Sequence, residues 1–299
     1  MNYEFSNSVR DNNKLRSSFN ELTRKTYGFD FEDWYKAGHW GDLYIPHVLL
    51  DGERVVSNIS VSLMQFDVDG ITKNYIQIGT VMTDPLYRSQ GLNRRLMEWV
   101  LNEYQGKADG IYLFANDSVL DYYPKFGFRT SKEYEYYLPC DPVEERQPYL
   151  IQKVTMTCPE QRDHFYKSIL PNLNDSAVAN QNDGMCMCQN LGLYQFYMGM
   201  GFDDTIYYVP ETNAYLSASM DENILRIHQI FSKQQIDIRR LANTLGVTAA
   251  EVVLEYTPAN RDDFLVREYA EEDTTLFILG DDLQCIDREK LRFPVFSHT

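Results

Sequence analysis

Residues 83–101 read "TDPLYRSQGLNRRLMEWVL". A proline, a turn bearing Gly91 and a helix start follow one another without a break. A helix start aims several backbone N–H groups at one spot and adds the partial positive charge of the helix dipole. That arrangement suits a phosphate, and it also serves as an ordinary loop closure. Leu92, Leu96, Trp99 or Val100, and Tyr104 recur at helical spacing, which predicts a helix over 91–104 with Arg94, Arg95 and Glu98 largely outside. The preceding "KNYIQIGTVMT" is β-branched and apolar, and predicts a strand over 76–83. The turn has no GK[ST] ending and no GxGxxG, so neither a Walker A nor a dinucleotide motif is present.

Outward from this stretch, "NKLRSSFNELTRKTYG" reads as an amphipathic helix through Leu15, Phe19, Leu22 and Tyr27. "YIPHVLL" and "RVVSNISVSLMQF" flank "DGE" as a hairpin would. Downstream, "GIYLFA" is a short buried strand, "DSVLDYYPKF" a helix-like segment broken by Pro124, and "EYEYYL" a further strand. The order gives an α+β domain with a mixed central sheet and flanking helices.

Length and composition bound the rest. The chain has 299 residues, 43% hydrophobic and 24% charged, enough for about two domains. The net charge is −16, with 16 Lys and Arg against 22 Asp and Glu in residues 1–150 and 12 against 22 in residues 151–299. No basic cluster exceeds pairs such as Arg94-Arg95, which argues against nucleic acid as a partner. An acidic field attracts cationic amines, and it also serves solubility. No apolar run is long enough for a membrane helix and no signal-peptide core is present, so no membrane partner and a cytosolic location are expected. The five cysteines include one close pair, Cys186 and Cys188, without a second pair or a nearby histidine; buried thiols and no metal are expected.

"RSQGLN" after "VMTDPLY" resembles the acyl-CoA-binding motif Q/R-x-x-G-x-G/A of the GNAT superfamily of N-acetyltransferases. "NDSVLDYYPKFGF" resembles that family's second motif, an Asn followed seven residues later by Tyr and then Gly-Phe. The resemblance covers roughly residues 1–150, and "RSQGLNRRL" with "YYPKFGF" is especially similar to the Eis (enhanced intracellular survival) branch, which acetylates amines and carries a degenerate second GNAT domain. That branch's third, sterol-carrier-like domain is not expected within these 299 residues. The last Gly/Ala of the pattern is Asn93 here, a departure that crowds the phosphate approach.

The resemblance implies acetyl-CoA as co-substrate. The pyrophosphate is expected on the N–H groups of Ser89, Gln90, Gly91, Leu92, Asn93 and Arg94, with Arg88 and Arg94 adding charge. Backbone groups of Val81, Met82 and Thr83 are expected along the acetyl and pantetheine, between two splayed parallel strands. Asn116 either contacts the pantetheine or caps the following helix. Tyr123 is the expected general acid for the departing thiolate, with Tyr122 its adjacent competitor. No general base is assigned; Glu53, Asp67, Asp69 and Asp84 lie near the relevant strands, and His39 and His47 in the segment that usually walls the acceptor. Trp34, Tyr35 and Trp40 line that wall or pack the early helices.

The second half echoes the first in order. "NYIQIGTVMT" has a counterpart in "NILRIHQIFS", "LNRRLMEWV" in "IDIRRLANTL", "ADGIYLFAN" in "AAEVVLEYT", and "EYEYYL" in "TTLFIL". The hairpin "YIPHVLLDGERVVSNISVSL" is echoed by "IYYVPETNAYLSASM". Where the first copy has "TDPLYRSQGLNRR", the second has the shorter "SKQQIDIRR", without Gly or Pro. The expected organisation is a catalytic GNAT-like domain at 1–150 and a degenerate copy at 151–299 without a cofactor turn, joined through a helical stretch within 158–184; an unrelated α+β domain is the other reading. The expected activity is acetyl transfer from acetyl-CoA to a small-molecule or protein amine by direct attack. A non-catalytic acyl-CoA-binding or sensing protein is the alternative, and an aminoacyl transferase is opposed by the net charge. A homo-oligomer is left open.

Overall fold

In the computed structural model, which describes residues 3–140, 147–174 and 182–298, the chain begins with an edge strand, β1 (Glu4–Ser6). Helix α1 (Asn13–Tyr27) follows because Asn12 caps it, its side chain accepting from the N–H groups of Lys14 and Leu15. Leu15, Phe19 and Leu22 are buried as their spacing predicts, whereas Tyr27 is 44% exposed. After α2 (Glu32–Lys36), β2 (Tyr44–Asp51) and β3 (Arg54–Val68) form the hairpin expected around "DGE". Strand β4 (Ile71–Thr83) is longer than the expected 76–83 and pairs with β3 along its length. Helix α3 (Leu92–Tyr104) buries Leu92, Leu96, Met97, Val100 and Tyr104 against the sheet. β5 (Gly110–Ala115), β6 (Arg129–Thr130) and β7 (Glu133–Pro139) follow. The segment between β5 and β6 holds only the short 3-10 turns Asp117–Val119 and Tyr123–Phe126. Pro124, without an N–H to donate, keeps it from becoming a regular helix.

The rest of the chain comprises β8 (Gln152–Lys153), α4 (Pro159–Asn174), β9 (Met185–Cys188), α5 (Leu191–Tyr197), β10 (Ile206–Val209), β11 (Ala214–Asp221) and β12 (Ile224–Phe231). It ends with α6 (Ile238–Leu245), β13 (Glu251–Leu254), β14 (Leu265–Tyr269), β15 (Thr275–Leu279) and α7 (Cys285–Arg288). α4 supplies the helix expected within 158–184; residues 175–181 of that stretch lie outside the described residues.

Among the described residues the strands form two mixed sheets with helices packed on them. The first runs β1-β2-β3-β4-β5-β15-β6, with β9 added to β3; the second runs β8-β10-β11-β12-β13-β7-β14. The two orders match strand for strand. β2-β3-β4-α3-β5 corresponds to β10-β11-β12-α6-β13, and each unit has one parallel pair, β4 with β5 and β12 with β13. The α+β class and the repeat are therefore visible in the topology.

The expected boundary at 150 is corrected by the same topology. β15, from the second half of the sequence, lies between β5 and β6, with Phe277 opposite both Leu113 and Thr130. β7, from the first half, lies between β13 and β14. "EYEYYL" and "TTLFIL" are equivalent strands, as their likeness suggests, but each completes the other copy's sheet. Between the sheets an apolar layer includes Phe66, Tyr112, Leu276, Ile278 and Phe293, with the Tyr112 and Phe293 rings stacked at 4.0 Å. Residues 1–150 alone lack the strand that joins β5 to β6. A truncation at residue 150 is expected to be insoluble or loosely folded by circular dichroism, and a soluble, fully active truncation would contradict the exchange. In the intact chain, Phe277→Ala should cost about 3–5 kcal/mol in urea unfolding, as for other buried Phe truncations.

Candidate functional site

β4 and β5 pair only through Tyr75–Gly110, Ile76–Ile111 and Gln77–Tyr112; beyond this they diverge. A bulge starts the divergence. Asn58 of β3 is opposite Met82, yet Ser60 is opposite Gly79, so β4 carries one extra residue there. Thr80 sits in the bulge at φ 48, costly for a β-branched residue. Its neighbours hold it: Asn58 Nδ2 donates to the Thr80 carbonyl at 2.7 Å, and the Tyr44 and Thr80 hydroxyls are 2.8 Å apart.

The slot so opened is a cavity of about 580 Å³. Val81, Met82, Thr83, Asn93, Asn116, Tyr122 and Tyr123 line it, all of them named from sequence. Arg88, Ser89, Gln90, Gly91, Leu92 and Arg94 lie in the adjoining turn and not in the lining. What the turn presents is backbone. Ser89 and Gly91 have φ 62 and 71, α3 has no side-chain cap, and no described residue accepts from the N–H groups of residues 89–94. A Cβ at Gly91 would meet nothing within 4 Å, so the approach to these donors is open. Side chains in the turn are otherwise engaged. Leu92 is core, Gln90 accepts from the Tyr3 hydroxyl at 2.7 Å, and Arg88 donates to the Thr83 carbonyl at 3.4 Å. Exposed Arg88 and Arg94 leave positive charge beside the donors. A row of unpartnered N–H groups at a helix start fits the diphosphate of acetyl-CoA.

The two tyrosines differ. Tyr122 donates its hydroxyl proton to Oδ1 of Asn93, the residue that stands where the family pattern has Gly or Ala. Tyr123 is 4% exposed, packs against Phe277 and Phe128, and its hydroxyl has no hydrogen-bond partner among the described residues. Burial raises its pKa above the ordinary phenol value, with Tyr27 and Tyr122 adding to the shift, so it keeps its proton at neutral pH. Asn116 does not cap the next turn; its Oδ1 accepts from Ser118 and the residue lines the slot.

None of the carboxylates and histidines considered as bases lines the slot. Asp84 is buried and held by Arg54 at 2.8 Å, Lys25 at 3.2 Å and the Leu86 N–H at 2.9 Å. Glu53 pairs with Lys14, Asp69 with Arg261, and Asp67 accepts from the Gly70 N–H. His47 is buried on the α3 side beside Glu103, Trp99 and Tyr104. His39 instead contacts α5, where a Cβ on Gly192 would stand 2.5 Å from the His39 carbonyl oxygen. Trp34 and Trp40 are stacked and donate to the carbonyls of Gly192 and Tyr44, and Tyr35 lies under the Arg16 guanidinium; all three pack the helices.

Several lining residues escaped the sequence reading: Tyr27, Phe29, Phe114, Val119, Asp273 and Thr274. Tyr27 was placed in the helix core by its spacing, but its hydroxyl donates to the Val81 carbonyl at 2.9 Å. Asp273 accepts from the Asp117 N–H at 2.7 Å and is 156 residues away in sequence. No local pattern signals it; it arrives with β15.

The second copy has the same divergence, but beyond the β12–β13 pairing a cavity of only about 30 Å³ remains beside Leu254 and Tyr256, and a separate hollow of about 600 Å³ lies at the start of α6. After Ile227–Leu254 the β12–β13 pairing ends. Residues 182–184 enter there: Gly184 N–H donates to Thr257 O, Ala259 N–H to Asn182 O, and Ile236 N–H to Asn182 Oδ1. Asp237 caps α6, accepting from the Arg239 and Arg240 N–H groups at 3.0 and 3.3 Å. A carboxylate thus stands where a phosphate would bind. Acetyl-CoA is expected to bind one site per chain by calorimetry, and two equivalent sites would contradict this. Gly91→Glu should abolish that binding while helix content is retained; unchanged affinity would refute the turn's role.

Residues 11–131 match the acetyltransferase (GNAT) domain family. No curated protein matches the chain. Similar solved structures include a conserved protein of unknown function from Enterococcus faecalis, with 14% identity, TM-score 0.61, and 95% of this chain against 74% of that one covered. Eis1 from Mycobacterium abscessus is 12% identical at TM-score 0.57, covering 92% and 72%. A GCN5-related N-acetyltransferase from Kribbella flavida is 14% identical at TM-score 0.56, covering 94% and 72%. Each likeness extends over both sheets, and at these identities it concerns the fold. Together with the splayed strands and the uncapped helix start, the family match establishes that residues 11–131 of this chain form a GNAT acetyltransferase domain.

Proposed function

We propose that the chain is an acetyl-CoA-dependent N-acetyltransferase that acts on a primary amine by direct attack. The observation that carries this reading is the open slot between β4 and β5, with N–H groups at one side and a Tyr123 hydroxyl in its wall that find no partner among the described residues. Bound acetyl-CoA supplies the acyl group as a thioester. The N–H groups of residues 89–94 hold its diphosphate, and the diverging β4 backbone at Val81–Thr83 borders the acyl arm. A neutral amine forms the new N–C bond as the C–S bond breaks; the nitrogen releases its proton to solvent water, Tyr123 gives one to the departing sulfur, and solvent returns a proton to Tyr123. The acceptor is a small-molecule or protein amine. The reading also places the enzyme in the cytosol, supported by five cysteines that are all thiols. No helix among the described residues is long and apolar enough to cross a membrane.

Tyr123→Phe removes one hydroxyl and keeps the ring against Phe277. At saturating acetyl-CoA, kcat for an accepted amine should fall by about 10²–10⁴-fold, the usual worth of a positioned acid, with cofactor affinity nearly unchanged. Tyr122→Phe should lose much less. If Tyr122→Phe is the damaging change, the acid is Tyr122. If neither slows the reaction, the sulfur leaves without a tyrosine acid; binding without any turnover would favour a sensing role.

A further inference from the structure

A second, smaller cavity of about 130 Å³ adjoins the slot. Phe114 and Thr274 line both. The remaining wall is acidic: Glu133, Glu268 and Glu271 face one cation, Lys132. Glu268 is engaged by Lys132 at 2.7 Å, and Glu271 accepts from the Tyr269 hydroxyl at 3.1 Å. Glu133 is different. It is 6% exposed, and one oxygen accepts from the Phe293 N–H at 2.8 Å. Its other oxygen has no hydrogen-bond or ion-pair partner among the described residues. The nearby Arg292 is stacked on Tyr269 at 3.7 Å and turned to Glu135 at 3.6 Å.

A buried carboxylate with an open oxygen needs a cation or a donor to complete it. The shared wall puts that vacancy next to the place where an amine must attack. We propose that this cavity is an acceptor subsite for a second ammonium group, so that short aliphatic diamines are preferred acceptors: one amine enters the slot past Phe114, and the other is held by Glu133 and Glu271. This rests on the acetyl-transfer reading above. A cavity of this size takes an ammonium on a methylene chain, not a folded peptide.

The charge balance agrees. Burial pushes Glu133 up to about 7, while Arg292 and the Phe293 N–H lower it and Glu271 raises it. Tyr112, facing it from β5, is held neutral by burial. Lys132, beside Glu133 in the chain, is committed to Glu268. The cavity therefore gains its full negative charge as pH rises through about 7, and an ammonium in contact with Glu133 favours the ionised form.

The test uses the full-length protein, acetyl-CoA, and two probes of equal length, diaminobutane and butylamine. The wild type should prefer the diamine in kcat/KM, and the preference should grow as pH rises through about 7. Glu133→Gln keeps an acceptor for the Phe293 N–H and should cut the preference by about tenfold or more, the weight of one charged hydrogen bond, while flattening its pH dependence. The exposed Glu271→Gln, which carries little folding risk, should reduce the preference in the same direction. Equal use of both amines by the wild type, or a preference untouched in both variants, overturns the proposal. If acetyl-CoA binds and neither amine is acetylated, the diamine assignment falls and the cofactor site stands; absence of acetyl-CoA binding removes both.

Discussion

Neither sheet is complete without a strand from the other half of the sequence. β15 hydrogen-bonds β5 on one side and β6 on the other, and β7 does the same between β13 and β14. Two pairs of neighbours depend on each inserted strand, so its removal exposes two ladders at once. The site follows from this arrangement. Because Thr275 must lie opposite Ala115, the residues just before it, Asp273 and Thr274, are brought to the mouth of the slot. Phe277 packs on the Tyr123 ring at 5.4 Å for the same reason. The second half therefore packs against the first half's Tyr123 and supplies part of the slot's wall, while the start of its own α6 is capped by Asp237.

Diverging parallel strands leave backbone groups without partners, and buried ones must be satisfied. The two copies meet that demand differently. In the second, residues 182–184 insert and Asp237 caps the helix, so the demand is met within the chain. In the first, Tyr27 takes the Val81 carbonyl and Asn58 takes the Thr80 carbonyl, but the helix start stays uncapped. The bulge at Thr80 stores strain that a closed sheet would not contain. An open slot is thus the less self-sufficient of the two solutions, and its uncapped helix start has the chemistry that suits a diphosphate.

What could be read from sequence was what is local. The Gly91 turn, the buried face of α3 and the Asn116–Tyr123 spacing each lie within about one element, and the structure puts Asn93, Asn116 and Tyr123 on one cavity. The repeat was legible because strand and helix periods survive divergence. The boundary at 150 was not, since "EYEYYL" and "TTLFIL" have the same pattern and nothing in either says which sheet it joins. Tyr27 was misplaced by the same limit: helical spacing puts it with Leu15, Phe19 and Leu22, yet it is the last residue of α1 and turns to the edge of β4 instead. The aromatic residues Trp34 and Trp40 could have faced a ligand or a core; a stack with Phe31, Tyr44 and Phe196, the last from α5, decides for the core.

The carboxylates show the limit most clearly. Those close to the motif in sequence are consumed in holding the fold: Asp84 ties α1 and β3 to the turn, and Glu103 is bound to His47. With 44 acidic residues in the chain, proximity in sequence cannot single out a functional one. Glu133 stands at the point where the chain leaves one sheet for the other. Ser131 still donates to Leu276 of the first sheet, whereas Glu133 already pairs with Tyr269 of the second. Between those two commitments the strands must part, which opens the small cavity beside Phe114. The strand exchange that makes the halves interdependent is therefore also what places next to the slot a buried carboxylate, one of whose oxygens has no partner among the described residues.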